Sequence, residues 1–243
     1  MAAVAAGINV MVWHEVTVGI CQLQVGGRAR MKCSAAVAAG LLVACCPCGM
    51  DPLSAASHHL QALSPVGRCQ SFEAAADGYG RGEGFAALVL TQHGVAASAT
   101  ACAAGAIQAH LRGSAVNQDG RSSSLTAPNG PSQQALVAAA LQAGELPPGA
   151  VGLVAVHGTG TPLGDPIEIG ALAAALNPQP GSSGSGSRIV ALASVKSCYG
   201  HTEGTAGITG LLLAAAAAQQ QVAPPVVNLR SMNPYVASAL GGL

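Results

Sequence analysis

The chain has 243 residues, of which 50% are hydrophobic and only 8% are charged, and its formal net charge at pH 7 is zero. This balance excludes a basic nucleic-acid-binding surface and a polybasic segment for anionic lipid. The longest apolar runs, at 35–46 and 207–218, are shorter than the roughly 20 residues that a membrane span needs. No Lys or Arg precedes the apolar N-terminal stretch, unlike a signal peptide, so we expect a cytoplasmic protein.

The first half of the chain predicts few regular elements. Alternation of small and apolar residues predicts a strand at 2–12, and a Gly-rich turn leads into another at 85–91. A small Ala-rich helix at 95–104 and a partner strand at 107–116 follow. The eight cysteines have irregular spacing without the paired ligands of a zinc site, so we expect reduced thiols and no bound metal.

The second half alternates strands with helices. Continuous apolar runs at 151–156 and 189–195 predict buried strands, and Ala-rich stretches predict helices at 132–143 and 205–221. Another helix is expected after the first of these strands. The alternation indicates an α/β fold in which helices cover a parallel or mixed sheet.

The start of the helix after residues 151–156 carries a recognisable capping pattern. Asp165 is the predicted N-cap, Pro166 suits the first helical position, and Glu168 stands where a capping box places its second member. We therefore assign both carboxylates to helix capping rather than to acid–base chemistry.

Two histidines have nearly matching settings in this half. His157 and His201 each follow a predicted strand and precede a Gly-bearing turn and a helix. Ligands of open α/β sheets bind at the carboxyl ends of the strands, so the two imidazoles are expected to share one site. The alternative for each is a hydrogen-bonded structural histidine, because a catalytic role requires the right geometry.

Four strings follow one another in a fixed order: GRCQSFEAAADGYGRGEGFAALVL, RGSAVNQDGRSSSLTAPNGPSQQALVAAAL, VAVHGTGTPLGDPIEIGAL and SVKSCYGHTEGTAGITGLLLA. Together they resemble the β-ketoacyl synthase (ketosynthase) domains of modular polyketide synthases, in the thiolase-like superfamily. The resemblance covers about residues 60–236 and implies a layered α-β-α-β-α architecture, here incomplete. It divides the chain into an N-terminal strand region at 1–24, a predicted disordered insertion at 25–59 and ketosynthase sequence at 60–243, mainly its C-terminal half.

The resemblance also implies a chemistry. His157 and His201 correspond to the catalytic histidines of the family, and Lys196 corresponds to the lysine that supports them. Such enzymes carry out a decarboxylative Claisen condensation between an acyl-cysteine and a malonyl-type extender, in polyketide or fatty acid biosynthesis. The extender is carried on the phosphopantetheine of an acyl carrier protein, and no other cofactor is implied. Expected partners are that carrier protein and either a second copy of the chain or a larger synthase.

Physical chemistry adds a role for the imidazoles and an alternative for the lysine. Two neutral rings that donate N–H groups to the thioester oxygen would stabilise the enolate formed by decarboxylation. Their position before helix starts would favour the neutral form. The alternative for Lys196 is an ordinary ion pair with Glu203 or Glu168.

The chain departs from the family at the nucleophile and at the residue three positions before His201. The family nucleophile is a cysteine in a Cys-Ser-Ser string that precedes the first strand, and no such string is present. Cys33 is followed by Ser34 but lies after that strand and lacks an activating setting, so it is not expected to replace the nucleophile. Cys198 stands where the family usually has Asn, which weakens the polar support of His201.

These departures leave three hypotheses open. The chain is part of a ketosynthase whose thiol comes from elsewhere, a non-catalytic ketosynthase-like partner, or a truncated product. In the absence of the nucleophile we expect no condensation by this chain alone. Neither the acyl chain nor the extender is specified by the sequence.

Overall fold

The computed structural model describes residues 3–6, 41–44, 63–90, 109–120, 122, 127–177 and 190–241. Within these ranges the chain forms five strands and five α-helices, with two sheets of opposite character. The predicted helix at 95–104, the cysteine cluster near residue 46 and Cys33 lie outside the described residues. So does most of the predicted insertion at 25–59, which stays a prediction.

The first sheet is antiparallel and has the strand order β1-β3-β2. Strand β1 is Ala3–Ala6, β2 is Leu41–Ala44 and β3 is Glu83–Leu90. The strand predicted at 85–91 is thereby confirmed, and the one predicted at 2–12 is described only in its first part. Strand β2 lies within the predicted insertion and was not expected.

The second sheet pairs β4, Leu153–Ala155, in parallel with β5, Ala191–Ala193. Both strands were predicted as buried apolar runs, and both are shorter than predicted. The helix α2, Gly164–Leu176, lies between them in the chain, so the unit is the β-α-β arrangement that the alternation indicated. A backbone hydrogen bond from Val156 to Ala193 extends the pairing to the residue before His157.

The remaining helices follow from local signals. Asn129 caps the helix α1, Gly130–Ala143, by accepting a hydrogen bond from the Ser132 N–H group at 3.2 Å, as a good N-cap residue does. Asn233 caps the last helix in the same way through Tyr235. These helices are α1, Gly130–Ala143; α3, Lys196–Tyr199; α4, Ala206–Gln220; and α5, Pro234–Leu240.

The strand predicted at 107–116 is wrong as far as the structure describes it. Residues 109–120 have no strand pairing, although they alternate between partly buried and exposed positions. The segment instead lies against the end of α1, where a Cβ on Gly113 would stand 2.4 Å from the Gly144 nitrogen. Arg112 donates to the Gly144 carbonyl at 3.4 Å. In the part that the structure describes, the segment packs against a helix end and does not pair with a strand.

Two apolar clusters hold the described part of the chain together. The larger one joins the second sheet to α1, α2 and α5, and its buried members are Phe72, Val137, Val154, Val156, Ile169, Leu172, Leu176 and Val236. The smaller one packs Ala86 and Leu88 of β3 against Ile208 of α4. Among the helices that the structure describes, none has the length and hydropathy needed to cross a bilayer.

Candidate active site

The rings of His157 and His201 lie edge to face. Their centroids are 5.3 Å apart and their planes are nearly perpendicular, at 85°. The sequence predicted that these imidazoles share one site, and the structure brings them together. Their catalytic roles remain a prediction.

Adjacent parallel strands explain this proximity. His157 follows β4, while His201 is reached from β5 through the short helix α3 and Gly200. Gly200 has φ +75°, and a Cβ there would lie 2.7 Å from the Arg81 carbonyl oxygen. Only glycine fits both the left-handed backbone and the close approach. The turn that presents His201 therefore depends on the residue before it.

The backbone of His201 is fixed on both sides by one short segment. Its N–H group donates to the Gly80 carbonyl at 2.7 Å, and its own carbonyl accepts from the Gly82 N–H group at 3.0 Å. This parallel bridge joins the His201 turn to the residues that enter β3. The histidine is thereby anchored to the antiparallel sheet as well as to the parallel pair.

The tautomer of His201 is set by a backbone donor. The Glu203 N–H group donates to His201 Nδ1 at 3.0 Å, which leaves the ring proton on Nε2. Burial, the largest cause, and the nearby charges of Lys196 and Arg81 together lower the pKa of His201 from 6.5 to about 3. The ring is therefore a neutral N–H donor at Nε2. The sequence predicted the neutral form but attributed it to helix starts, whereas burial is the largest cause.

Glu168 holds the turn that begins at His157. Its Oε1 accepts from the His157 N–H group at 2.6 Å, and its Oε2 accepts from the Gly158 N–H group at 2.9 Å. The side chain is buried, and burial raises its pKa to about 7 although both hydrogen bonds act in the opposite direction. The prediction that Glu168 caps its own helix is wrong.

Asp165 also serves the site rather than the helix end. Because α2 begins at Gly164, Asp165 lies inside the first turn, and the helix has no side-chain cap from its N-cap residue. Its carboxylate accepts from the Phe72 N–H group at 2.8 Å and from the Gly160 N–H group at 3.1 Å. Burial raises the pKa of Asp165. The predicted N-cap residue therefore links the loop at Phe72 to the loop at Gly160 and does not cap its helix.

A signal for these roles was present in the sequence. Asp165, Glu168 and Leu172 are spaced so that they share one helix face, and all three are buried. Two carboxylates on the apolar face of a helix are unusual, because buried charges need partners. The capping pattern concealed this signal.

Lys196 is buried, with only 4% of its surface exposed. Burial lowers its pKa, and the negative charges near it, that of Glu168 foremost, act in the opposite direction. The alternative partner Glu203 is engaged elsewhere, because Arg81 Nη1 lies 2.7 Å from its Oε1. Lys196 thus interacts electrostatically with Glu168 and Asp165, both buried, without forming an ion pair within 4.0 Å, and its charge also acts on His201.

Two residues beside His201 were not predicted. The ring of Tyr79 packs edge-on at 5.1 Å from the His201 ring, and Arg81 forms the ion pair with Glu203. Both belong to the Gly-rich string before β3, which was interpreted only as a turn. The backbone hydrogen bonds of Gly80 and Gly82 with His201 hold this string at the site.

Of the two cysteines in the described residues, Cys69 has a buried thiol that is not activated. Burial raises the pKa of Cys69 to about 11, and its Sγ exchanges hydrogen bonds with the backbone of Gly80. Cys198 is exposed on α3. Among the described residues, no three His, Cys, Asp or Glu side chains are grouped to hold a metal ion.

Models of two domains of a known family match the chain. The model of the β-ketoacyl synthase C-terminal domain matches residues 108–230, and that of the N-terminal domain matches residues 29–96. The second match crosses the predicted insertion, whose boundaries stay a prediction.

Curated relatives are long polyketide synthases. The chain is 43% identical over 181 residues to a phenolphthiocerol/phthiocerol polyketide synthase of Mycobacterium tuberculosis, covering 74% of this chain and 8% of that protein. It is 39% identical over 208 residues to an erythronolide synthase of Saccharopolyspora erythraea, covering 85% of this chain and 5% of that protein. The chain therefore spans only a small part of these relatives.

Solved structures give the same result. The ketosynthase from module 6 of the bacillaene synthase of Bacillus subtilis matches with a TM-score of 0.68 and 32% identity, covering 82% of this chain and 34% of that one. A ketosynthase domain for oxazolomycin from Streptomyces albus matches with a TM-score of 0.69 and 31% identity, covering 82% and 33%. The predicted thiolase-like α/β fold is confirmed, and the chain corresponds to about a third of each of these structures.

Proposed function

Because this chain belongs to the β-ketoacyl synthase family, we propose that its histidine pair drives the decarboxylation of a malonyl-type thioester in polyketide assembly. The observation that carries this proposal is the geometry of the two rings, whose centroids are 5.3 Å apart. The ring of His201 supports it further, because its proton is on Nε2 and its neutral form is strongly favoured.

In the proposed step, the bond between the extender's α-carbon and its carboxylate breaks and CO₂ leaves. The electron pair becomes an enolate, whose negative charge develops on the thioester oxygen. The Nε2–H group of His201 donates to that oxygen, and His157 supplies the second imidazole. Donors placed in advance stabilise such a charge strongly, because the site does not reorganise as the charge forms.

The condensation that follows needs an acyl-thioester on a cysteine. The enolate carbon attacks the acyl carbonyl, a carbon–carbon bond forms, and the acyl–sulfur bond breaks to release the thiolate. Cys69 is a poor candidate for this thiol, because its pKa of about 11 keeps it protonated at neutral pH. We assign the nucleophile to sequence beyond the described residues.

The buried charges take a supporting role in this proposal. Glu168 fixes the backbone at His157, and the buried Lys196 interacts electrostatically with Glu168. We propose that Lys196 orients and polarises the site and does not react with the substrate.

The substrates and partners follow from the proposed chemistry. We infer that the extender arrives on the phosphopantetheine of an acyl carrier protein and that the chain works as a homodimer or as part of a larger synthase. The relatives named above are polyketide synthases, which supports this setting.

A non-catalytic ketosynthase-like module is the second candidate. The protonated, buried state of Cys69 favours it, because a thiol with a raised pKa is a weak nucleophile. A module of this kind would retain the histidine geometry and show no turnover of an extender.

Decarboxylation separates the two candidates. The chain is incubated with malonyl-acyl carrier protein, and acetyl-acyl carrier protein is measured by mass spectrometry. His157→Ala and His201→Ala are each expected to lower the rate by about 10²–10³, as the loss of one oxyanion donor does. His110→Ala is the matched control, because His110 is exposed on the 109–120 segment. Rates that do not change in the two site variants refute the proposal.

A further inference from the structure

Glu203 adopts an uncommon backbone conformation. Its φ is +49°, in the left-handed region that side chains other than Gly, Asn and Asp rarely occupy. In this conformation its N–H group reaches His201 Nδ1 at 3.0 Å. A strained residue whose backbone contacts a candidate catalytic ring requires an explanation, because strain of this kind persists only where the surroundings impose it.

The side chain of Glu203 supplies that explanation. Its Oε1 lies 2.7 Å from Arg81 Nη1, and the two side chains are 26% and 33% exposed. Partial burial makes this pair stronger than a fully exposed one. The ion pair therefore holds the side chain of Glu203 while its N–H group contacts the ring.

Arg81 is itself fixed to the same histidine. The residues on either side of it, Gly80 and Gly82, form the two backbone hydrogen bonds that anchor His201. One segment thus fixes the backbone of His201 directly and, through Arg81 and Glu203, the donor to its ring. The same segment therefore fixes both the backbone and the ring of His201.

We propose that Arg81 and Glu203 are a positioning pair that fixes the tautomer of His201. Without the ion pair, Glu203 leaves the left-handed conformation, Nδ1 loses its donor, and both ring tautomers become populated. The Nε2–H group then faces the substrate for only part of the time. The inference rests on the proposed function, because the donor matters only if an oxyanion forms there.

The direct test is the protonation pattern of the His201 ring. Protein labelled with ¹⁵N at the histidine rings is examined by long-range ¹H–¹⁵N correlation spectra at pH 7.5, with His201→Gln assigning the signals. The unmodified protein is expected to show a deprotonated Nδ1 and a protonated Nε2. In Glu203→Gln and Arg81→Met, both nitrogens should shift toward each other as the tautomers average.

Conservative variants separate positioning from a general effect on the fold. Arg81→Lys retains the charge and is expected to keep the pattern of the unmodified protein. Glu145→Gln is the matched control, because Glu145 also has positive φ, at +53°, but is exposed after α1. If Arg81→Met does not fold, Glu203→Gln, which keeps the size of the side chain, decides the question.

The outcomes distinguish this inference from the proposed function. Unchanged ring signals in Glu203→Gln and Arg81→Met overturn the positioning pair, whatever happens to decarboxylation. Averaged tautomers together with a lower decarboxylation rate at unchanged KM support both. The tautomers could instead average while decarboxylation does not respond to His157→Ala or His201→Ala. That outcome supports the positioning pair and refutes the proposed function.

Discussion

Glu168 binds the backbone of His157: the carboxylate Oε1 accepts the His157 N–H group at 2.6 Å. The second oxygen accepts the next N–H group along the chain, so the carboxylate spans the first peptide of the turn. A buried carboxylate with two backbone donors fixes where the turn begins, and through it where the imidazole is presented.

Glu168→Gln is expected to weaken this turn. An amide offers one oxygen, so its NH₂ group must face a backbone N–H group and leave a buried donor without an acceptor. The free energy of unfolding should fall by about 1–3 kcal/mol, measured by urea denaturation, and decarboxylation should slow. Glu145→Gln serves as the exposed control. Equal stability of the two variants would show that the paired acceptors contribute nothing.

Acidification is expected to destabilise the fold through His201. The pKa of this ring is lowered from 6.5 to about 3, so the unfolded chain takes up a proton below pH 6.5 while the folded protein does not. The contribution of the neutral His201 ring to the free energy of unfolding is present above pH 6.5 and is lost as the pH falls toward 3. At pH 5 the loss is at most about 2 kcal/mol relative to pH 7.5.

Denaturation at both pH values checks this sign. His201→Gln should lose less stability between pH 7.5 and pH 5 than the unmodified protein. Glu168 contributes in the opposite direction, because its pKa is raised to about 7 and the folded state holds the proton more strongly. The comparison is therefore made between variants, with exposed His110→Gln as the control. An identical pH response of His201→Gln and the unmodified protein would contradict the buried neutral ring.

Gly200→Ala is expected to displace His201. The left-handed φ of +75° and the 2.7 Å approach of a Cβ to the Arg81 carbonyl oxygen together disfavour any side chain. The unfolding free energy should fall by about 1–3 kcal/mol and decarboxylation should be impaired. Gly149→Ala is the matched control, since a Cβ there meets no atom within 4 Å. If the two alanine variants behave alike, the turn before His201 is not constrained as described.

The two described cysteines should differ in reactivity. Cys198 is exposed, whereas Cys69 is buried with a pKa of about 11. Brief treatment with iodoacetamide at pH 8 should alkylate Cys198 in the folded protein, and Cys69 only after denaturation. Peptide mapping by mass spectrometry measures both sites at once. Rapid alkylation of Cys69 in the folded protein would mean that this thiol is activated, and would return it to consideration as a nucleophile.

The sequence predicted the parts of the site that depend on strand ends. The apolar runs at 151–156 and 189–195 were sufficient to place His157 and His201 at neighbouring loops, because parallel strands end at the same edge. The resemblance added Lys196 and the expected chemistry. Spacing alone could not have given the distance between the rings.

What the sequence could not show are contacts between distant segments. Asp165 and Glu168 fit a capping pattern, and only the packing of α2 reveals that they serve residues 72, 157, 158 and 160. Arg81 and Glu203 are separated by more than a hundred residues, and nothing local predicts that they meet. The strand predicted at 107–116 failed for a related reason, because the segment lies against the end of α1, a contact that its own residues do not reveal.

The bridge between Arg81 and His201 has a consequence for how this part of the molecule opens. It joins the segment that enters the three-stranded sheet to the turn that follows the parallel pair, and the amide hydrogens of Gly82 and His201 are both engaged in it. Opening of this bridge exposes both amides, so hydrogen exchange at the two positions should slow or accelerate in step. A substitution that loosens the bridge is therefore expected to loosen the backbone that carries the His201 imidazole.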